Sequence, residues 1–233
     1  MTKNEKKMIG GDKVNIRLAY MYRAKGIEIN FMSDEMRIED GVIVAEKLEK
    51  EKSVQNLYAI DDLDRTWSTK ELKRLVAQVE EEPHHILVYF DGGFDRNDLI
   101  AGVGVVIYYE KNKKYFRRRK NVKLEQLDNN NEAEYAGLYH SLELLEEMQA
   151  THQSITFKGD SMVVIHQLKE EWPCYEENLQ RWIDRIENKI EQLGIQPDYQ
   201  VIPRKDNKEA DQLASQSIQG IQIESTLEIN KRK

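Results

Sequence analysis

The pattern of apolar and polar positions predicts a small α+β domain over residues 1 to 82. Strand-like alternation and helical spacing follow one another there in the order strand, strand, helix, strand, helix. The segments are Val14 to Arg23, Gly26 to Met32, Val42 to Lys52, Gln55 to Ile60 and Trp67 to Val79. Ser68 and Glu71 form a capping box that starts the last helix. Residues 1 to 12 are polar, and we expect them to form a flexible tail.

Beyond Pro83 the pattern predicts a mixed α/β domain over residues 84 to 220. The run from His85 to Phe90 is apolar and short, which is typical of a strand buried on both faces at the centre of a sheet, and Gly92-Gly93 is expected to stop it. Two strands follow in a meander and are therefore antiparallel to their neighbours, and two later strands alternate with helices. These are Gly102 to Tyr109, Lys114 to Lys120, Ser154 to Asp160 and Tyr199 to Pro203.

The predicted fold class is therefore α/β. We expect a mixed five-stranded sheet, with three antiparallel strands and then two parallel ones, flanked by helices. The small α+β domain precedes it, and residues 221 to 233 are expected to form a C-terminal tail.

Composition describes an ordinary soluble globular protein, with 39% hydrophobic and 33% charged residues. No apolar run approaches the roughly 20 residues that span a bilayer, and the polar N-terminus lacks the apolar core of a signal peptide. We therefore expect a cytoplasmic protein with no membrane partner. Cys174 is the single cysteine, which excludes intrachain disulfides and cysteine zinc clusters.

The net charge of −7 does not by itself indicate a nucleic-acid partner. A nucleic acid would have to be attracted by local basic patches, and its affinity would depend on salt. One such patch is Arg117-Arg118-Arg119 on the third strand of the predicted sheet. It has two interpretations: contact with phosphates, or protection of an edge strand against pairing with another sheet.

Four carboxylates occupy positions that this fold would bring to one edge of the sheet: Asp91, Glu134, Asp160 and Asp211. Each also has a structural interpretation. Asp91 precedes Gly92 as a turn residue would, Asn131 with Glu134 would form a capping box, and Asp160 or Ser161 would cap a helix. Four clustered carboxylates repel one another, and divalent cations bound by oxygen ligands are the usual remedy.

Four short motifs around these acids resemble the signature of type 1 ribonuclease H. They are Asp91-Gly92-Gly93, Asn130 to Glu134, Gly159-Asp160-Ser161 and Asn207 to Ala214. Their order and placement resemble a bacterial ribonuclease HI-like protein of the RNase H-like superfamily, with an additional N-terminal domain of unknown role. The resemblance implies a metal-dependent endonuclease that hydrolyses the RNA strand of RNA–DNA hybrids, with two Mg²⁺ ions, or Mn²⁺, as cofactors.

The same resemblance implies roles for individual residues. Asp91 would bridge both metal ions, Asp160 would lie on the side of the nucleophile, and Glu134 and Asp211 would lie on the side of the leaving group. The residues expected to contact the nucleic acid are Asn130, Asn131, Gly92, Arg204 and Asn207. Glu134 would also sense a ribose 2′-hydroxyl, which distinguishes RNA from DNA.

Two departures from the family pattern support an alternative hypothesis. The loop from Pro203 to Asn207 lacks the His that well-studied bacterial members carry, and Lys169 to Glu177 is acidic where a basic protrusion would grip the hybrid. The alternative is a catalytically weak or inactive nucleic-acid-binding or adaptor protein of the same fold. A third hypothesis, a 3′ to 5′ exonuclease, usually has a Glu where this chain has Gly93.

Overall fold

The computed structural model describes residues 15 to 230 of the chain. These residues form two compact units that divide between Glu81 and Glu82, each with a hydrophobic core. The flexible tail expected at residues 1 to 12 lies outside the described residues, as do residues 231 to 233.

The first unit is an antiparallel sheet with two helices. Its strands are β1 (Asn15–Ala24), β2 (Ile27–Met32), β3 (Met36–Arg37), β4 (Val54–Asp61) and β5 (Thr66–Trp67), and its helices are α1 (Ile38–Leu48) and α2 (Thr69–Glu81). The strand order is β2-β1-β4-β5, with β3 paired to β1. The first two predicted strands are confirmed, and they form a hairpin because β1 and β2 pair around Lys25 and Gly26, which both have positive φ.

The capping box predicted at the start of α2 is also confirmed. The backbone N–H of Ser68 donates to Glu71 Oε2 at 2.8 Å, and the backbone N–H of Glu71 donates to Ser68 Oγ at 3.3 Å. Two backbone donors that the first helical turn leaves without partners are thereby satisfied.

The second unit is a six-stranded mixed sheet flanked by helices. Its strands are β6 (His84–Asp95), β7 (Ile100–Lys111), β8 (Lys114–Glu125), β9 (Ser154–Gly159), β10 (Gln196–Val201) and β11 (Glu224–Ile229). Its helices are α3 (Asn130–Glu147), α4 (Met162–Leu168), α5 (Glu177–Leu193) and α6 (Lys208–Ile218), with a 3-10 turn at Arg204–Asp206. The strand order is β10-β9-β6-β7-β8-β11, so β6 is an inner strand, as predicted.

Strand directions confirm the predicted fold class. β6, β7 and β8 are antiparallel to their neighbours in the meander, whereas β9 pairs parallel with both β6 and β10.

Part of the C-terminal tail expected at residues 221 to 233 is a strand, so the prediction for this segment is wrong. β11 pairs antiparallel with β8, so the Arg117 to Arg119 cluster lies on an inner strand instead of an edge. Arg118 forms ion pairs with Glu224 of β11 at 3.2 Å and with Glu147 at 2.8 Å. Hydrophobic patterning missed β11 because the strand is mostly polar and its charged residues face the basic residues of β8.

One face of β7 carries valines and the other carries glycines, and this difference sets how closely helices approach each face of the sheet. Val103 and Val105 belong to the core that includes α3 and α5. Gly102 and Gly104 alternate with them and face α6, where a Cβ on Gly104 would lie 2.1 Å from the carbonyl oxygen of Ala210. Glycine therefore lets the backbone of α6 approach the sheet directly. Within residues 15 to 230, no helix is long and apolar enough to cross a membrane.

Candidate active site

Asp91 lies within β6 and not at its end. The two glycines expected to stop the strand continue it to Asp95, and Asp91 pairs with Gly104 of β7 while Gly93 pairs with Gly102. The turn interpretation of Asp91 is therefore wrong. The residue is 6% exposed, and a carboxylate so far removed from water requires hydrogen bonds or a cation to compensate the lost hydration.

Glu134 has no role in capping α3 and faces inward. The N-cap is Asn129, whose side chain accepts from the backbone N–H of Glu132 at 3.0 Å, and Glu132 Oε2 accepts from the backbone N–H of Asp128 at 2.8 Å. The N-cap thus lies two residues earlier than the interpretation with Asn131 and Glu134 required, and Glu132 takes the place of Glu134 at its side. Glu134 is buried, the backbone N–H of Gly92 donates to its carboxylate, and its Oε2 has no hydrogen-bond partner.

Asp160 follows β9 directly and does not cap the next helix. Ser161 is the N-cap of α4, and its Oγ accepts from the backbone N–H of Val164 at 3.4 Å. Asp160 Oδ1 accepts instead from the side-chain amide of Asn207 at 3.0 Å. Because Ser161 satisfies the helix terminus, the Asp160 carboxylate remains available at the edge of the sheet.

Three of the four predicted acids converge. Asp91, Glu134 and Asp160 each offer a ligand oxygen, and these oxygens all lie within 4.8 Å of one another. Asp211 lies in the first turn of α6 and is not part of this group. Its Oδ1 accepts from the guanidinium of Arg204 at 2.9 Å, and the Arg204 side chain is 81% exposed.

Asn207 and Gly92 have positions that differ from those expected for contacts with a nucleic acid. Asn207 is 1% exposed, and its Nδ2 donates to the carbonyl oxygen of Phe90 at 3.0 Å as well as to Asp160. Gly92 is buried, and a Cβ there would lie 2.1 Å from the backbone of Ala133. Both residues hold the carboxylates in place instead of offering a surface to a polymer.

The other expected nucleic-acid contacts lie at the rim of the carboxylate group. Asn130 is exposed and Asn131 is half-buried in the first turn of α3, which is the turn that leads to Glu134. Arg204 is exposed on the 3-10 turn ahead of α6.

The family model described as "Reverse transcriptase-like" matches residues 89 to 217, which include all four predicted acids. The chain belongs to the reverse transcriptase-like family. A curated relative, the uncharacterized protein YpeP of Bacillus subtilis (strain 168), is 40% identical over 210 residues, which cover 89% of this chain and 92% of YpeP.

Two solved structures share the fold of this reverse transcriptase-like domain. RNase H1 from the halophilic archaeon Halobacterium salinarum NRC-1 is 25% identical, with a TM-score of 0.50 over 58% of this chain and 98% of that one. The N-terminal RNase H domain of Rv2228c from Mycobacterium tuberculosis is 24% identical, with a TM-score of 0.51 over 58% of this chain and 94% of that one. The domain therefore has an RNase H-like fold.

Burial and mutual repulsion raise the pKa values of two carboxylates in the group formed by Asp91, Glu134 and Asp160. Burial, followed by the charges of Glu134 and Asp160, raises the pKa of Asp91 well above its ordinary value. Burial and the charge of Asp160 likewise raise the pKa of Glu134, although the Gly92 N–H and Arg204 act in the opposite direction. Both shifts describe carboxylates with too little positive charge around them.

This donor set fits divalent cations. Three carboxylates within reach of one another supply hard oxygen ligands, which Mg²⁺ and Mn²⁺ prefer. Glu134 Oε2 is buried without a hydrogen-bond partner, and a buried polar atom of this kind requires an explanation such as an ion. A cation at this position would satisfy that atom and relieve the repulsion that raises both pKa values.

Two residues beside the carboxylate group were not predicted correctly from the sequence: Asn207 was given another role, and Gly137 was missed. Asn207 is the N-cap of α6 and precedes Asp211 by four residues, a spacing of about one helical turn that indicates a shared role. Gly137 interrupts a helix made of good helix formers, and a Cβ there would lie 2.9 Å from the carbonyl oxygen of Asp91. A glycine inside an apolar helical stripe signals close packing, and here it packs against the strand that carries Asp91.

Proposed function

We propose that this protein is a type 1 ribonuclease H, a metal-dependent endonuclease that hydrolyses the RNA strand of RNA–DNA hybrids. The observation that carries the proposal is the convergence of Asp91, Glu134 and Asp160, with one buried carboxylate oxygen left without a partner. The RNase H-like fold and the similarity to a structure named RNase H1 support the same reaction class.

The catalytic carboxylates in this proposal are Asp91, Glu134, Asp160 and Asp211, with two Mg²⁺ ions as cofactors and Mn²⁺ as a substitute. Bound divalent ions would activate the attacking water and stabilise the oxygen that leaves. The chain itself supplies ligand oxygens whose positions are set by Asn207, by the Gly92 N–H and by the close packing of α3 against β6. Asp91 is central to the proposal because the charges of the other three acids, Glu134, Asp160 and Asp211, all raise its pKa.

Asp211 and Arg204 form the adjustable part of the proposed site. Asp211 is half-exposed, and its partner Arg204 is an exposed side chain on a short turn, so the ion pair is able to open. When it opens, Asp211 gains freedom to turn toward the other carboxylates, and the Arg204 guanidinium gains freedom to reach a phosphate. Asn130 and Asn131, at the start of α3, would contact the hybrid beside it.

The decisive experiment is cleavage of an end-labelled RNA–DNA hybrid by the full chain, in Mg²⁺ and separately in Mn²⁺. Single-stranded RNA, duplex RNA and duplex DNA serve as substrate controls. We expect internal cuts in the RNA of the hybrid alone, and we expect Asp91→Asn to abolish them while the variant remains folded. A folded Asp91→Asn variant with undiminished cleavage would refute the proposal.

Asp98→Asn is the matched control, because Asp98 is an exposed carboxylate between β6 and β7. The substitution makes the same chemical change seven residues away from Asp91, outside the carboxylate group. We expect it to leave cleavage unchanged. Equal loss of cleavage in both variants would indicate that the effect is not specific to the site.

The alternative function, a nucleic-acid-binding or adaptor protein with weak or no catalysis, has one structural observation in its favour. Asp211 is engaged by Arg204 and is not one of the three acids whose ligand oxygens lie within 4.8 Å of one another. A protein of this kind would bind the hybrid in Mn²⁺ without cutting it, and cleavage at enzyme-like rates excludes it. In either case we propose that residues 84 to 220 carry the activity in the cytoplasm, beside a separate N-terminal domain whose partner is not specified.

A further inference from the structure

A second group of potential metal ligands lies at the other end of β6. His84 and His85 begin the strand, and His84 pairs with Glu110 of β7. A ligand atom from each of these three residues lies within 4.8 Å of the other two. The group shares no residue with the carboxylate site and plays no part in the proposed hydrolysis.

The backbone brings the two imidazoles together. Consecutive residues of a regular strand point to opposite faces of the sheet, yet the ring centroids of His84 and His85 lie 5.0 Å apart. The pairing of β6 with β7 shifts register between His84 and Leu87, and His85 has a positive φ of 51°. This irregularity replaces the usual alternation and turns both rings toward Glu110.

A hydrogen bond leaves a lone pair on His84 for a metal. His84 Nδ1 lies 2.9 Å from the carbonyl oxygen of Glu82, and a carbonyl oxygen only accepts, so Nδ1 carries the proton. In the neutral ring Nε2 then has the free lone pair. Metal-binding histidines are commonly oriented in this way by a carbonyl or carboxylate on the other ring nitrogen.

His85 and Glu110 already lie at nearly the distance that separates two ligands of one zinc ion. His85 Nδ1 lies 3.6 Å from Glu110 Oε1, whereas two ligands of a tetrahedral zinc ion lie about 3.4 Å apart, given bond lengths near 2.05 Å. The His85 side chain is 57% exposed and that of Glu110 is 25% exposed, so both are free to adjust and an ion from solvent can reach them.

We propose that His84, His85 and Glu110 bind a Zn²⁺ ion, with a fourth position left for water. Two imidazoles and one carboxylate favour zinc over Mg²⁺, which prefers oxygen ligands alone. Six residues separate His85 from Asp91, which is roughly 20 Å along a strand. The zinc site is therefore distinct from the carboxylate site, and it would clamp the start of β6 to β7.

The test is a titration of the full chain with Zn²⁺, followed by competition with a chromogenic chelator and repeated with Co²⁺, whose visible absorption reports tetrahedral ligation. The variants are the double substitution His84→Ala with His85→Ala, and separately Glu110→Gln. Because these side chains are partly exposed, we expect both variants to fold, which the unfolding temperature in chelator verifies.

Two further variants act as controls. His166→Ala removes a histidine that also lies beside a glutamate, Glu171, but belongs to no group of three ligands within the described residues. Asp91→Asn disables the carboxylate site. We expect the site variants to bind Zn²⁺ at least about tenfold more weakly than wild type, and His166→Ala to bind as wild type does. Asp91→Asn should keep the tetrahedral Co²⁺ absorption, even if it loses cations that bind the carboxylate site.

Two outcomes would overturn the proposal. Equal Zn²⁺ affinity and stoichiometry in wild type and in the double variant would show that His85 and Glu110 form only an ion pair. Loss of Zn²⁺ binding in Asp91→Asn alone would assign the ion to the carboxylate site.

Discussion

Replacing Asp91 with Asn should stabilise the protein when divalent cations are absent. Asp91, Glu134 and Asp160 offer ligand oxygens within 4.8 Å of one another, and two charges at that separation repel by about 3 kcal/mol at an effective dielectric near 20. The folded protein avoids part of this repulsion by keeping a proton. Protonating a carboxyl of ordinary pKa 3.8 at pH 7 costs about 4 kcal/mol, which is the upper limit of the destabilisation that Asn removes.

The stabilisation should depend on pH with a definite sign. Burial and the neighbouring carboxylates raise the pKa of Asp91 in the folded state, so the folded protein binds this proton more tightly than the unfolded chain does. The contribution of that proton to stability is complete below pH 3.8, and it is lost as the pH rises toward the folded-state pKa. The advantage of the Asn variant should therefore be small near pH 4 and grow by up to about 1.4 kcal/mol per pH unit.

Differential scanning calorimetry in chelator, at pH 5 and pH 7.5, measures this difference for wild type, Asp91→Asn and the control Asp98→Asn. At pH 7.5 we expect the Asp91 variant to gain about 1 to 4 kcal/mol, which raises its unfolding temperature by about 2 to 4 °C per kcal/mol. Mg²⁺ should raise the unfolding temperature of wild type and narrow the gap, because the cation replaces the proton. A variant that melts below wild type in chelator, or a gap that does not change with pH, would refute the electrostatic account.

Three further predictions concern the surroundings of the carboxylates. Asn207→Ala removes buried hydrogen bonds to β6 and to Asp160, and it should cost about 1 to 3 kcal/mol in chemical denaturation and lower the rate of hybrid cleavage. Gly104→Ala should lower the free energy of unfolding by about 1 to 3 kcal/mol, because α6 must move away from the new Cβ. The control Gly93→Ala should lower it less, because its Cβ would meet a side chain at an ordinary 3.4 Å. Equal losses in the two variants would contradict the packing argument. Arg204→Ala removes a positive charge beside the acids. Titration with Mg²⁺ should show that the variant binds the ion more tightly, by less than about 1 kcal/mol, while it binds the hybrid more weakly. Unchanged Mg²⁺ affinity would show that Arg204 does not compete with the cation.

The sequence predicted the order of the longer strands and helices except β11, and it predicted four acids of which three converge. The meander and the parallel strands follow from periodicity and from the positions of glycine and proline, whereas Asp91 lies within β6 and not at the strand end that Gly92 and Gly93 predicted. The caps of α3 and α4 show where local patterns were ambiguous. Asn129 and Asn131 are both good N-caps by chemistry, and packing of the whole α3 face decided between them.

Other features depend on partners far along the chain and were therefore not predictable. β11 is mostly polar and gains its place by pairing with β8, so hydrophobic periodicity carries no signal for it. Asn207 is buried only because α6 approaches the glycines of β7, and this contact joins segments about one hundred residues apart. In both cases tertiary pairing overrides the local pattern.

The proposed catalytic acids come from four separate elements, and this governs when activity can appear during folding. Asp91 and Asp160 meet only after β9 has paired with β6, and such long-range parallel pairing is slow to form. No single helix or hairpin of the second unit contains a complete set of ligands. An intermediate without this pairing would therefore lack the proposed ligand set. Under the proposed function, RNA cleavage would require the completed sheet, and a partly folded chain would not cut RNA.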